Sequence, residues 1–286
     1  MLKTVTVTSK RTSTPLVLDL WSPANGYFVK DIDGLGPVDS PITVLNSAIS
    51  DGGVYQTSRR GTRNIVITLG LVPSWTTSIE TLRRALYTWF AQKSIVNLSF
   101  IDSIYSYPLL INGYVEKLTP SMFDSKATFE ISIICPDPIF TGNTTVNLTP
   151  THAQMLSGYT INNAGTDLSG FILTMDTKSY MTTVSWSSSS TVNPDGTTTF
   201  SFKNSTDIDD VNELQANMKY RLSTGFCERS FKRVVAGGDI SLLSWVTAAT
   251  RWPMLYPGAN ILKTAAYVQG TVPTYTITYS PRFGEL

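Results

Sequence analysis

Residues Asn64 to Leu71 alternate almost without exception, and that alternation constrains the fold of this chain more than any other feature. Ile65, Ile67, Leu69 and Leu71 share one face at period two, while Asn64, Val66, Thr68 and Gly70 take the other, which is the pattern of a half-buried strand. Directly before it, after the turn at Asp51-Gly52-Gly53, Tyr55, Ser58, Arg59, Arg60 and Arg63 crowd donors and an aromatic ring into nine positions. Two readings follow for that cluster: it holds a partner, or it orders its own loop.

The rest of the chain agrees with a β-rich protein. Charged residues make up 15% of the sequence, against about 25% in ordinary globular proteins, while aromatics reach 11%. At roughly 100 to 200 residues per domain, 286 residues predict two domains. The formal net charge of +1 provides no global field toward nucleic acid or an acidic membrane. Cys135 and Cys227 are far apart and imply no disulfide framework, and Cys135 continues an alternating apolar face as a small buried hydrophobe. The first residues, MLKTVTVTSKRTSTP, lack the apolar run of a signal peptide, and no segment approaches the ~18 apolar residues of a spanning helix. The expectation is a soluble chain made in a cytoplasm, with no membrane insertion.

Strand signals come early, at Thr4 to Thr8, Leu16 to Leu20 and Tyr27 to Ile32. Between Asp33 and Gly53 the apolar residues Ile42, Val44, Leu45 and Ile49 are too few for a core, so the segment reads as an extended arm or hairpin. Thr77 and Glu80 have capping-box spacing, and Ile79, Leu82, Leu86 and Trp89 or Phe90 follow at helical period, which predicts a helix near residues 78 to 92. Its apolar stripe suits one open face or end of a small barrel. Strands are expected again at Ile95 to Ile101, Leu109 to Leu118 and Lys126 to Cys135. Pro136-Asp137-Pro138 then marks a boundary, dividing the chain into residues 1–141 and 142–286. The second half shows no strong helix. Short strands at Val184 to Trp186, Thr197 to Phe202, Ile240 to Trp245 and Tyr275 to Tyr279, with a hairpin turn at Asp195-Gly196, predict a β-sandwich.

Catalytic signals are sparse. The single histidine, His152, sits among Thr149, Pro150, Thr151 and Gln154, where a surface position in a polar linker is the expectation and a triad or His-based zinc site has little support. Neither G-x-x-x-x-G-K-[ST] nor G-x-G-x-x-G occurs, so a nucleotide site is unsupported. Asp207-Ile208-Asp209-Asp210 with Glu213 lacks the central Gly of a calcium loop and reads as a capping turn. Nothing nominates a carboxylate pair for glycoside hydrolysis. Arg229, Lys232 and Arg233 form a second basic group, read like the first as a solvated face. Trp245, Trp252, Tyr256 and Tyr267 suit either a sandwich core or an aromatic platform for sugar. No catalytic residue, cofactor or metal is assigned.

Several separated motifs together resemble one family. They are Gly26 to Gly36 (GYFVKDIDGLG), the run Asp51-Gly-Gly-Val-Tyr55 through Ser58-Arg59, Gly61, Arg63 and Ile65, and Ile131 to Phe140 (ISIICPDPIF). Near the end stand Trp252-Pro253, Leu255, Pro257-Gly258 and Asn260, then Ile277-Thr-Tyr279 and Pro281-Arg282-Phe283. In order and spacing these resemble the distal tail proteins of long-tailed bacteriophages, across nearly the whole chain. The resemblance implies a mainly β protein: an N-terminal β-barrel with one flanking helix, and a C-terminal galectin-like β-sandwich of jelly-roll type. It implies a non-enzymatic structural protein of the virion tail tip, assembled in the host cytoplasm as a homohexameric ring. The ring would join the tail tube protein to the tail-tip hub protein, with the tape-measure protein and the genome passing through its lumen without specific binding. Asp51, Tyr55, Ser58, Arg59 and Arg63 then become candidates for inter-subunit contact or for ordering a turn. The alternative is a carbohydrate-binding module that recognises the host surface through the sandwich, with Trp245, Trp252 and Tyr256 as candidate sugar contacts; a glycosidase is a third class.

Overall fold

The computed structural model describes residues 2–12, 14–23, 25–46, 51–121, 127–193, 196–202, 214–225, 228–268 and 270–286. Ile49, Lys126, the Pro194-Asp195 part of the expected turn, the Asp207 to Asp210 run with Glu213, and Cys227 lie outside the described residues. The chain divides into two compact units, Met1–Asn143 together with Phe283–Leu286, and Thr144–Arg282. The last four residues therefore return to the first unit, which the division at residue 141 does not anticipate.

In the first unit, β1 (Leu2–Ser9), β2 (Leu16–Asp19) and β3 (Tyr27–Asp33) lead to a separate hairpin of β4 (Ile42–Asn46) and β5 (Gly53–Ser58). Then come β6 (Arg63–Leu71), α1 (Ile79–Trp89), β7 (Ile95–Asp102), β8 (Leu109–Pro120), β9 (Thr128–Cys135) and β10 (Phe140–Gly142). The main sheet runs β2-β1-β7-β8-β9-β6-β3, and its end strands β2 and β3 approach one another, so it forms a nearly closed barrel. Closure of this kind covers edges that would otherwise template aggregation. The alternation seen in the sequence is realised in β6, where Ile65, Ile67 and Leu69 are fully buried opposite Ile133, Ile131 and Phe129 of β9. Burying each such side chain stabilises by about 1.5–3 kcal/mol.

Helix α1 covers the barrel as its spacing predicts, burying Leu82, Leu86 and, at its C-cap, Phe90. Its N-cap is Ser78, whose hydroxyl accepts from the Thr81 N–H at 3.2 Å, one residue after the expected Thr77. The Tyr27 hydroxyl donates to the Leu82 carbonyl at 3.1 Å, and burial pushes its pKa up to about 12.

The second unit holds β11 (Val146–Leu148), α2 (His152–Ser157), β12 (Tyr159–Asn163), β13 (Phe171–Asp176), β14 (Met181–Ser190), β15 (Thr198–Ser201), β16 (Lys219–Ser223) and β17 (Ser230–Val234). They are followed by β18 (Ile240–Ser241), a 3-10 turn at Leu243–Trp245, β19 (Gly258–Val268) and β20 (Thr274–Tyr279). A six-stranded sheet, β11-β20-β13-β16-β17-β18, and a four-stranded sheet, β12-β19-β14-β15, share one core and make a sandwich. At its centre Trp186 stacks on Phe202, with ring centroids 5.6 Å apart, and meets Phe231 edge-on at 5.9 Å. The expected strand from Ile240 to Trp245 is instead a two-residue strand followed by the 3-10 turn.

The expectation of a surface His152 in a polar linker is overturned. His152 opens α2, where Thr151 and Gln154 form a capping box. The ring is buried and lies parallel to that of Tyr275, and its Nδ1 is 3.0 Å from the Tyr275 hydroxyl. Thr-x-x-Gln was present in the sequence as a capping signal, but a six-residue helix carries too little apolar periodicity to be recognised from it.

Candidate functional site: the arm and its root

The hairpin of β4 and β5 is exposed along both strands. Among the described residues each strand pairs only with the other, in a sheet of two. Ile42, Val44, Leu45, Val54 and Tyr55 all face solvent, Tyr55 with 60% of its surface accessible, and none of them enters the barrel core. An isolated two-stranded hairpin is marginal in water, and apolar side chains grouped in this way mark an interaction surface.

The structure separates the candidate residues around it. Asp51 lies exposed just before β5, Tyr55 within β5, and Ser58 at its end, where the Tyr55 hydroxyl donates to the Ser58 hydroxyl at 3.2 Å. Arg59 and Arg60 are exposed beyond Ser58 and line an open cleft of about 350 Å³ with Thr43, Thr57, Thr62 and Pro136.

Arg63 is different: only 1% of its surface is exposed. Its Nε donates to the Pro138 carbonyl at 2.7 Å, Nη1 to those of Gly34 and Gly36, and Nη2 to that of Gly284, each of these three at 2.6 Å. The guanidinium carbon lies 4.5 Å from the centre of the Phe140 ring. Burial lowers the Arg63 pKa, while Cys135 and Glu285 act in the opposite direction. Cys135 is paired across the ladder with Arg63, and burial pushes its thiol up to about 11, so the thiol is neutral at pH 7. The parity of β6 contained this outcome, since Arg63 shares the inward face of Ile65 and Ile67. The carbonyl partners carry no side-chain signature, and nothing in the sequence pointed to them.

Gly34 sits at φ +84°, and a Cβ built there would lie 1.9 Å from the Asn64 carbonyl oxygen. The root of the arm thus packs backbone against backbone on β6, a contact that only glycine permits. Gly34, Gly36, Pro37, Val38, Asp39 and Pro41 line one side of a cleft of about 370 Å³ whose other side is Gly61 to Asn64.

The aromatic candidates are engaged within the sandwich. Trp245 and Trp252 are half-buried and pack against its core, Trp252 edge-on to Phe200 at 5.0 Å and 5.9 Å from the Arg229 guanidinium. Tyr256 is half-buried, and its backbone N–H donates to Asn260 Oδ1 at 2.8 Å while Asn260 Nδ2 donates back to its carbonyl at 2.7 Å. The side chain of Tyr267 lies outside the described residues. Among the described residues, no group of three or more His, Cys, Asp or Glu side chains is placed to hold a metal, and no helix is long and apolar enough to cross a membrane.

No protein-family model matches the sequence, and no curated protein matches it. Solved structures do. The SPP1 Dit protein, a paradigm of the hub adsorption apparatus of phages infecting Gram-positive bacteria, aligns over 98% of this chain and 100% of its own, with a TM-score of 0.63 at 15% identity. The chain has the fold of SPP1 Dit. Two structures of the phage P2 baseplate in its activated conformation, with calcium and with strontium, align at TM-scores of 0.46 and 0.41 and identities of 10% and 11%. They cover 100% and 96% of this chain and 100% and 97% of the matched chains.

Proposed function

We propose that this chain is a non-enzymatic structural protein of a phage tail tip, six copies of which close into a ring between the tail tube protein and the tail-tip hub protein. The observation that carries the reading is the β4–β5 arm, with five large apolar residues exposed on a hairpin that no other strand among the described residues supports. The SPP1 Dit fold, shared over both units, adds to it. A closed ring needs two different complementary faces on each copy, and an apolar arm seated on the neighbouring barrel supplies one of them. The tape-measure protein and the genome then pass through the lumen without sequence-specific contact, in keeping with the net charge of +1.

Sedimentation or native mass measurement tests this reading. Six chains of 31.4 kDa give a species of about 190 kDa. Leu45→Asp with Tyr55→Asp removes that species and leaves the dissociated chain folded, read as an unchanged far-ultraviolet circular dichroism spectrum, because both side chains are exposed. A wild-type protein that stays monomeric at all concentrations contradicts the ring.

A further inference from the structure

Arg63 joins three stretches that are distant in sequence. These are the root of the arm at Gly34 and Gly36, the strand exit at Pro138, and the segment that follows the second unit, at Gly284. The same returning segment makes two more attachments to the first unit. Phe283 is fully buried in its core, 4.7 Å from the Tyr105 ring centre, and the Leu286 N–H donates to the Leu35 carbonyl at 3.1 Å. Leu35 lies between the two arm-root carbonyls that Arg63 holds, so three consecutive residues of the root are fixed by Arg63 or by the segment.

We propose that residues 283–286 are a latch that sets the root of the arm, so that the arm is presented to a neighbouring copy only after the chain has been synthesised through the second unit. The latch stands on the geometry of the first unit; its consequence for assembly rests on the ring reading above. A buried guanidinium needs its lost water replaced by acceptors, and its planar fork fixes the directions in which they stand. Gly284 is one of the four carbonyls that do so, and without it Arg63 no longer holds Gly34, Gly36 and Pro138 against a common fourth point. The root then keeps the two Arg63 Nη1 bonds to Gly34 and Gly36, its approach to Asn64 at Gly34, the packing of Leu35 against the core and the Gly61 N–H bond to the Asp39 carbonyl at 3.1 Å, but loses the Leu286 bond and the fourth point of the fork. A chain interrupted before residue 283 carries the same apolar arm on a loosened root, and is selected against when rings close.

The test compares the full chain, Arg63→Lys and a chain ending at residue 282. It measures hydrogen exchange at Gly61, whose N–H is bonded to the Asp39 carbonyl of the root, at β9 and at β13, together with assembly mass. Lysine keeps the charge and leaves Phe283 in place, but one ammonium cannot reproduce the planar fork, so a loosened root is separable from unfolding. The expected result is exchange about 10-fold faster or more at Gly61 in both variants, unchanged β13, protected β9 in Arg63→Lys, and a reduced ring population. Unchanged exchange at Gly61 in the chain ending at residue 282 or in Arg63→Lys overturns the latch. So does exchange that accelerates equally at Gly61 and β9 in Arg63→Lys, because the contact is then ordinary core. If the full chain is monomeric, the ring reading and the assembly consequence fall, while the exchange comparison still decides the latch.

Discussion

Replacing Phe283 by alanine tests whether the first unit depends on a residue that follows the second. The ring is fully buried, 4.7 Å from the Tyr105 ring centre and 6.3 Å from that of Tyr107, and belongs to the core that holds Phe100, Phe140 and Ile133. Truncating a buried Phe to Ala costs about 3–5 kcal/mol, part of it lost transfer energy and part the cavity left behind. A domain is stable by about 5–15 kcal/mol, so this is about a fifth of the total or more. For a unit of this size each kcal/mol is worth about 2–4 °C, which places the fall in its midpoint at about 6–20 °C. Native-state hydrogen exchange assigns the loss by residue. The slowest amides of β6 and β9 should lose about 3–5 kcal/mol of protection, while those of β13 and β16 keep theirs. A loss confined to the second unit, or a change below about 1 kcal/mol in β6 and β9, refutes the assignment of Phe283 to the first core.

Gly34→Ala should destabilise the first unit by about 2–4 kcal/mol, read as a shift in urea midpoint at constant m, because the added methyl meets the Asn64 carbonyl at a positive φ. A neutral result would mean that the arm root does not pack as described. His152 predicts a pH dependence in the second unit. Burial lowers its folded pKa below the ordinary value of about 6.5, so the unfolded chain binds the proton first as pH falls. The contribution is fully present above that ordinary value and is lost as pH drops through the folded one. His152→Gln should therefore flatten the stability profile of the second unit on the acid side of pH 6.5, and an unchanged slope would count against the buried state.

Local pattern was enough for much of the fold. The period-two runs at residues 65–71, 95–101 and 128–135 are strands because each buries one face, and the helical spacing from Ile79 to Phe90 is a helix for the same reason. In the second unit the pattern is weaker. The serine-rich β14 extends over Met181–Ser190, well beyond the expected Val184 to Trp186, because ladder hydrogen bonds to β15 and β19 stabilise residues that lack apolar alternation. His152 was misplaced because polar neighbours in sequence say nothing about Tyr275, 123 residues away.

The sequence by itself determined the β character, most barrel strands, the covering helix and an arm or hairpin with too few apolar residues for a core, because each is written in side chains a few positions apart. Tertiary structure alone decided what Arg63 binds. By sequence it is one of three arginines in a polar turn, and by position in β6 it is a buried cation holding the carbonyls of Gly34, Gly36, Pro138 and Gly284. Backbone carbonyls are common to every residue and leave no mark in composition or period. A joint made from them becomes visible only when the chain has brought residues 63 and 284 together.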